Sequence, residues 1–229
     1  MDWGMRRALR SGALGCGLSL AAMLAHGDPM PTPALLRVDF AGQAAPLEVR
    51  RTAEQAIEAG DALGKPFAVV DKRQARIYVF DATGRLAGAA SSLLGLAKGD
   101  ASAPGVASKV STGIPLAERT TPAGRFESEP GHNIKGEAIV WVDYDAAVAI
   151  HRLRPAPAAE RRPERLASDK PEDKRISLGC IVVAPEFYDA VVAPTLGSQR
   201  GIVYVLPESP GAALVFNNNK NVNGLPTQG

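Results

Sequence analysis

The sequence carries few side chains that cross-link or titrate near neutral pH. Two cysteines and three histidines serve 229 residues, and Cys16 and His26 both fall within the first 27. Beyond that stretch stand one cysteine, Cys180, and two histidines, His132 and His151, so no intramolecular disulfide can form there. Aromatics are 5% of the chain, too few for a broad base- or sugar-stacking platform. Neither sign of charge dominates, with 26 basic against 24 acidic side chains and a formal charge of +2. That balance excludes the basic domain or stripe by which nucleic-acid binders are recognised. No run of uncharged residues near the N-terminus reaches the roughly 20 needed to span a bilayer.

What is present is ordinary globular composition, 45% hydrophobic and 22% charged, with 23 glycines and 18 prolines implying many turns. The length suits one full domain with a sizeable core plus a short appendage. Arg6, Arg7 and Arg10 precede an uncharged run from Ser11 to Ala25, and Ala25-His26-Gly27 forms a small-x-small site. Residues 1–27 therefore read as a secretory signal peptide, with a retained N-terminal anchor as the alternative. Cleavage after Gly27 would remove Asp2 and three arginines, leaving the two signs balanced. An unpaired thiol in an exported chain has three explanations: an intermolecular disulfide, a buried inert thiol, or a nucleophile.

Residues 28–65 form a proline-containing lead-in with a short helix expected from Thr52 to Leu63, Thr52 being its cap. Beyond it the hydrophobic period shifts to two. Phe67–Asp71 and Ala75–Asp81 read as adjacent strands joined by a polar connection at Lys72-Arg73-Gln74, and Arg85–Leu94 as a third. Strands resume at Glu137–Val142, where Trp141 reads as a core residue of the strand face, and at Ala147–His151, with Asp143-Tyr144-Asp145 as the hairpin turn. Residues 152–175 hold eight basic and five acidic side chains and four prolines; a loop of that length is a lid, a binding loop or disordered. A short helix is expected over Pro185–Val192 and a late strand over Gly201–Leu206, followed by a Pro/Gly/Asn-rich tail, 207–229. Many short strands with one or two short helices, and no Gly-rich nucleotide loop, predict a mainly β domain.

Cys180 lies in Ser177-Leu178-Gly179-Cys180-Ile181, where Gly179 permits a tight turn beside the sulfur and Ser177 offers a nearby hydrogen bond. A nucleophilic cysteine needs an imidazole or cation that favours its thiolate. His151, at the end of a predicted strand, is the candidate base; His132 falls in a turn. Such activation predicts a thiol that reacts well below pH 8. Asp71, Asp143 and Asp145 are candidate orienters of the base, or simply turn residues. The spacings of Cys180, His132 and His151 match no standard zinc pattern, and no cofactor is expected.

Thr121-Pro122-Ala123-Gly124-Arg125-Phe126, Ile150-His151 and Ser177-Leu178-Gly179-Cys180-Ile181, together with the hairpin around Val69-Val70-Asp71 and Arg76–Asp81, resemble the YkuD-type L,D-transpeptidase catalytic domain. The resemblance runs over 66–206 and includes the 152–175 insertion. It implies an L,D-transpeptidase-like β-sandwich in which Cys180 is the nucleophile, His151 the base, Ser177 the motif serine, and the N–H groups of Gly179 and Cys180 the expected oxyanion donors. The Thr121–Phe126 stretch would be structural. Leu178 stands where the family has histidine, and Val182 where it has arginine or asparagine, which marks a divergent branch. Arg152 and Arg175, flanking the dyad, are the expected substrate-binding substitutes, with Arg154 a further candidate. The implied activity is a thioester-forming L,D-transpeptidase on peptidoglycan stem peptides, in the periplasm or secreted, with no stable membrane insertion after signal cleavage and no nucleic-acid partner. The alternatives are an L,D-carboxypeptidase or amidase cleaving the same kind of bond, and a non-catalytic cell-wall-binding protein. Oligomeric state is not legible in the sequence.

Overall fold

A computed structural model describes residues 37–62 and 64–209. The expected signal peptide, Cys16, the lead-in before Arg37 and the tail from Pro210 lie outside these residues. The fold is mainly β. Eight strands form one mixed sheet in the order β3-β2-β1-β10-β5-β6-β7-β9, beside a two-stranded pair, β4-β8. The strands are β1 (Phe67–Asp71), β2 (Arg76–Phe80), β3 (Leu86–Ser91), β4 (Leu94–Gly95), β5 (Gly124–His132), β6 (Ala138–Asp143), β7 (Val148–Arg152), β8 (Arg175–Ser177), β9 (Ile181–Val183) and β10 (Gly201–Val205). No helix among the described residues is long and apolar enough to cross a membrane.

Strands β1 and β10, paired in parallel with Phe67 opposite Ile202, are buried along their whole length because both faces of the sheet are covered. Side chains of a strand alternate in direction. Phe67, Val69, Ile202 and Tyr204 accordingly join one core with Val49, Ala53 and Ile57 of helix α1 (Leu47–Glu58). Ala68, Val70, Val203 and Val205 join a second core with Val140, Ile150, Ile181 and Tyr188. Helix α1 starts five residues earlier than expected. Pro46 begins it, and Val49, Thr52, Ala53, Ala56 and Ile57 make the buried stripe, so Thr52 packs inward and is not the cap.

Lys72, expected in a polar connection, is fully buried. The turn around it closes instead through Asp71, whose Oδ1 accepts the N–H groups of Arg73 (2.9 Å) and Gln74 (3.1 Å). Asp143 likewise accepts the Ala146 N–H at 3.1 Å in the β6–β7 turn. Trp141 is only partly buried. Its ring stacks on exposed Tyr144, centroids 4.5 Å apart, so it caps the outer side of the hairpin and does not fill the core.

Residues 152–175 fold into defined structure: a 3-10 turn (Ala158–Glu160), helix α2 (Arg162–Ala167) and a second 3-10 turn (Pro171–Lys174) that leads into β8. Arg165 ties the segment to itself, donating to Glu160 O and Asp173 O, both at 2.9 Å, and Ser168 Oγ donates to Asp173 at 2.6 Å. Leu166 seats the helix against Leu93 and Val182, in a cluster that Leu153, Ile176, Ala184 and Cys180 border.

Candidate active site

Strands β7 and β9 run parallel with His151 opposite Val182. Cys180 immediately precedes β9, two residues before Val182, and borders the same cluster as Val182, which puts it towards the side of the sheet that the residue opposite His151 faces. Val182 of β9 belongs to a cluster bordered by Cys180 and Ala184, on either side of that strand, and by Leu153, just past the end of β7. The two residues that the sequence singled out thus lie on β7 and at the entry to β9, its neighbour in the sheet, while His132 lies exposed at the end of β5.

His151 is buried, 7% exposed, and its Nδ1 lies 2.7 Å from Arg152 O. A carbonyl only accepts, so Nδ1 carries the proton and donates it to that bond. The neutral ring then presents a lone pair at Nε2. A backbone carbonyl orients this ring; Asp71 and Asp143 are occupied with their turns. Burial, and next to it the charge of Arg154, holds the His151 pKa down to about 4 from an ordinary 6.5.

Cys180 keeps partial surface exposure, while burial of its thiol pushes the pKa up, partly offset by a backbone hydrogen bond at Ala149 and by Arg154. The S–H donates to Ala147 O at 3.5 Å. At neutral pH the pair therefore rests as neutral thiol and neutral imidazole. An early-reacting preformed thiolate, expected from the sequence, does not fit this arrangement; deprotonation has to accompany attack.

The turn that carries Cys180 is held by named bonds. Ser177, buried at the end of β8, donates through Oγ to Cys180 O at 2.6 Å and accepts the Gly179 N–H at 3.1 Å. Thr121 Oγ1 donates to Gly179 O at 2.8 Å. Gly179 has φ +136°, a conformation that disfavours side chains, and a Cβ there would lie 2.9 Å from Thr120 O. Gly179→Ala is accordingly expected to cost about 1–3 kcal/mol of stability and to displace the sulfur, read as a lower urea midpoint together with lost acyl transfer. Because Gly179 N–H is taken by Ser177, the donor left for a ligand is the N–H of Cys180. That group lies outside the β7–β9 ladder, which begins at Ile181, and among the described residues no turn or loop bond takes it.

The two arginines expected to bind substrate sit elsewhere. Arg152 follows His151 on the strand and so points to the opposite face, where it donates to Asp189 at 2.8 and 2.5 Å and lies 4.1 Å over the Tyr188 ring. Arg175 is buried and holds Lys72 O at 2.7 Å and Glu208 at 2.9 Å. Arg154, paired with Glu137 at 2.6 Å, is the cation whose charge acts on both His151 and Cys180. Strand alternation alone was enough to set Arg152 aside. Leu178 is 40% exposed and Val182 is fully buried.

The depressed His151 pKa has a consequence for stability. The unfolded chain binds a proton there below about pH 6.5, and the folded chain only near pH 4. The stability supplied by neutral His151 is therefore complete above 6.5 and is lost as pH falls towards 4, about 3 kcal/mol in all. Asp71, whose pKa burial raises above 3.8, acts in the opposite sense at the acid end of that window. The melting temperature of the wild type is expected to fall more steeply from pH 7 to 4.5 than that of His151→Gln; parallel curves would contradict the assignment.

No family model matches the chain, and no curated protein does. Among solved structures it is similar to the helical cell shape determining protein Pgp2 from Campylobacter jejuni, at 16% identity over 66% of this chain and 54% of that one, with a TM-score of 0.41. It is also similar to the L,D-transpeptidase of Enterococcus faecium, at 17% identity over 62% and 50%, TM-score 0.33. An L,D-transpeptidase from Mycobacterium smegmatis matches at 16% identity over 62% and 58%, TM-score 0.36. The chain thus spans little more than half the length of these three proteins. At such identities the function has to be read from this chain's own residues: a mainly β protein with a histidine on β7 and a cysteine at the entry to the neighbouring β9.

Proposed function

We propose that the protein is a cysteine acyltransferase of L,D-transpeptidase type acting on peptidoglycan stem peptides. The observation that carries the reading is the tautomer of His151, fixed by Arg152 O so that Nε2 is a free acceptor on the sheet face that holds Cys180. A structural histidine has no need of that combination. The charge-flanked run Ser11–Ala25 supports export to the periplasm or secretion.

In the reaction, Cys180 Sγ rotates from Ala147 O towards His151 and gives its proton to Nε2 as the sulfur attacks the carbonyl on the L-centre side of the peptide bond to D-Ala. The Cys180 N–H meets the developing oxyanion, an interaction worth several kcal/mol when well aimed. The C–N bond breaks, Nε2 returns the proton to the departing D-Ala amine, and a thioester remains on Cys180. The amine of a second stem then forms a new amide and releases the thiolate, its proton passing through His151 to the sulfur. Arg154, which Glu137 holds at 2.6 Å, would have to leave that carboxylate to meet one from the substrate.

The test is incubation of protein lacking residues 1–27 with purified disaccharide-tetrapeptides, followed by mass spectrometry. Loss of D-Ala with crosslinked dimers is expected. Loss without dimers would make the enzyme a carboxypeptidase of the same mechanism. Folded protein with no turnover and no acyl-enzyme mass would overturn the reading in favour of a wall-binding protein.

A further inference from the structure

We infer that Thr121 is a positioning residue that aims the oxyanion donor, an assignment that rests on the acyl-transfer reading above. Its side chain and carbonyl are held from three directions. Thr121 Oγ1 accepts the Gly95 N–H at 2.9 Å and donates to Gly179 O at 2.8 Å. Thr121 O accepts from the buried Lys72 ammonium at 3.0 Å. Two backbones also close on the segment: a Cβ on Gly95 would lie 2.7 Å from Thr121 N, and one on Gly179 2.9 Å from Thr120 O. Thr121 itself has no exposed surface, so its hydroxyl has no freedom to choose other partners.

The consequence follows from the planarity of the peptide unit. Gly179 C=O and Cys180 N–H belong to the same planar trans unit and point in opposite directions. A hydroxyl that captures the carbonyl therefore fixes where the N–H points, away from Thr121. That N–H is the donor which Ser177 leaves unspent, because the serine takes Gly179 N–H. Ser177 fixes the turn's closure, and Thr121 fixes the rotation of the peptide plane within it. Thr121 touches neither the thiol nor the imidazole, whose own partners are Ala147 O and Arg152 O. Its influence falls on the aim of the donor and leaves the proton transfer alone.

Two reagents separate these effects. p-Nitrophenyl acetate acylates the thiol through an oxyanion and releases p-nitrophenolate. Iodoacetamide alkylates it at a CH₂ carbon with loss of iodide, and no oxyanion forms. In Thr121→Val, which keeps the volume and loses the hydroxyl, the acetylation burst is expected to slow by roughly 10- to 100-fold, with iodoacetamide alkylation within about twofold of wild type. Thr121→Ser restores the burst. Should valine prevent folding, Thr121→Ala removes the same hydroxyl with a smaller side chain and carries the same expectation. Equal loss of both reactions would reduce Thr121 to a structural residue, and a normal burst in the valine or alanine variant would overturn the inference while the acyl-transfer reading stands. A wild-type protein that forms no acyl-enzyme from either p-nitrophenyl acetate or disaccharide-tetrapeptide overturns both.

Discussion

Cys180→Ala is expected to abolish acyl-enzyme formation outright, and His151→Gln to slow it by about 10²- to 10⁴-fold at pH 7, the range a positioned general base supplies. The size follows from the resting protonation states. Burial raises the thiol pKa, so at neutral pH the thiolate fraction is smaller than that of a free cysteine. Attack then depends on a base that accepts the proton as the S–C bond forms. The lone pair of Nε2, freed by the Nδ1–H bond to Arg152 O, is that base, and glutamine offers no comparable basicity. Alkylation with iodoacetamide gives the control. As pH rises above the thiol's own pKa, hydroxide replaces the imidazole, and the rates of wild type and His151→Gln are expected to converge. Wild-type acylation in the glutamine variant at pH 7 would exclude the dyad. Rates that stay apart at high pH would show that the substitution displaced the sulfur.

Cys180 and His151 stood out as candidates in the sequence because their residue types are scarce: one cysteine and two histidines beyond residue 27 leave few pairings, and His151 ends an alternating apolar segment. The strands were legible for a related reason, since runs such as Phe67–Val70 and Ile202–Val205 have both faces covered and read as continuous apolar stretches. The supporting residues were not. Lys72 carries the signature of a surface turn, and its burial depends on Asp100 and Thr121, which approach from 28 and 49 positions away. Thr121 makes its bond to Gly179 across 58 positions. The choice among Arg152, Arg154 and Arg175 turned on sheet face and on ion pairing. Alternation along β7 settles the first, whereas the capture of Arg175 by Glu208 depends on where a later segment returns. In the same way, the polar composition of 152–175 gave no sign that one residue, Leu166, anchors it.

Lys72→Met is expected to cost about 3–5 kcal/mol, since two carbonyls lose their donor at about 1–3 kcal/mol each. At roughly 2–4 °C per kcal/mol for a chain of this size, the melting temperature falls by about 6–20 °C. The ammonium is fully buried and gives its three protons to Gly99 O (2.6 Å), Asp100 Oδ1 (2.7 Å) and Thr121 O (3.0 Å). Methionine fills the volume and leaves two carbonyls without their donor, while Asp100, 42% exposed, can turn to water. Asp100→Asn therefore makes a telling comparison. It keeps an oxygen for Lys72 and for the Glu208 N–H, which donates to Asp100 at 2.9 Å, and its cost is expected near 1 kcal/mol. Equal melting temperatures for Lys72→Met and wild type would show that desolvating the ammonium cancels what its bonds return. The same cation is two hydrogen bonds from the turn that carries Cys180, because it fixes the carbonyl of the residue whose hydroxyl holds Gly179 O. Lys72→Met and Thr121→Val should then slow acetylation by less in combination than the product of their separate effects, since each releases the same peptide plane. Simple multiplication of the two would place Lys72 outside the chain of contacts that leads to Cys180.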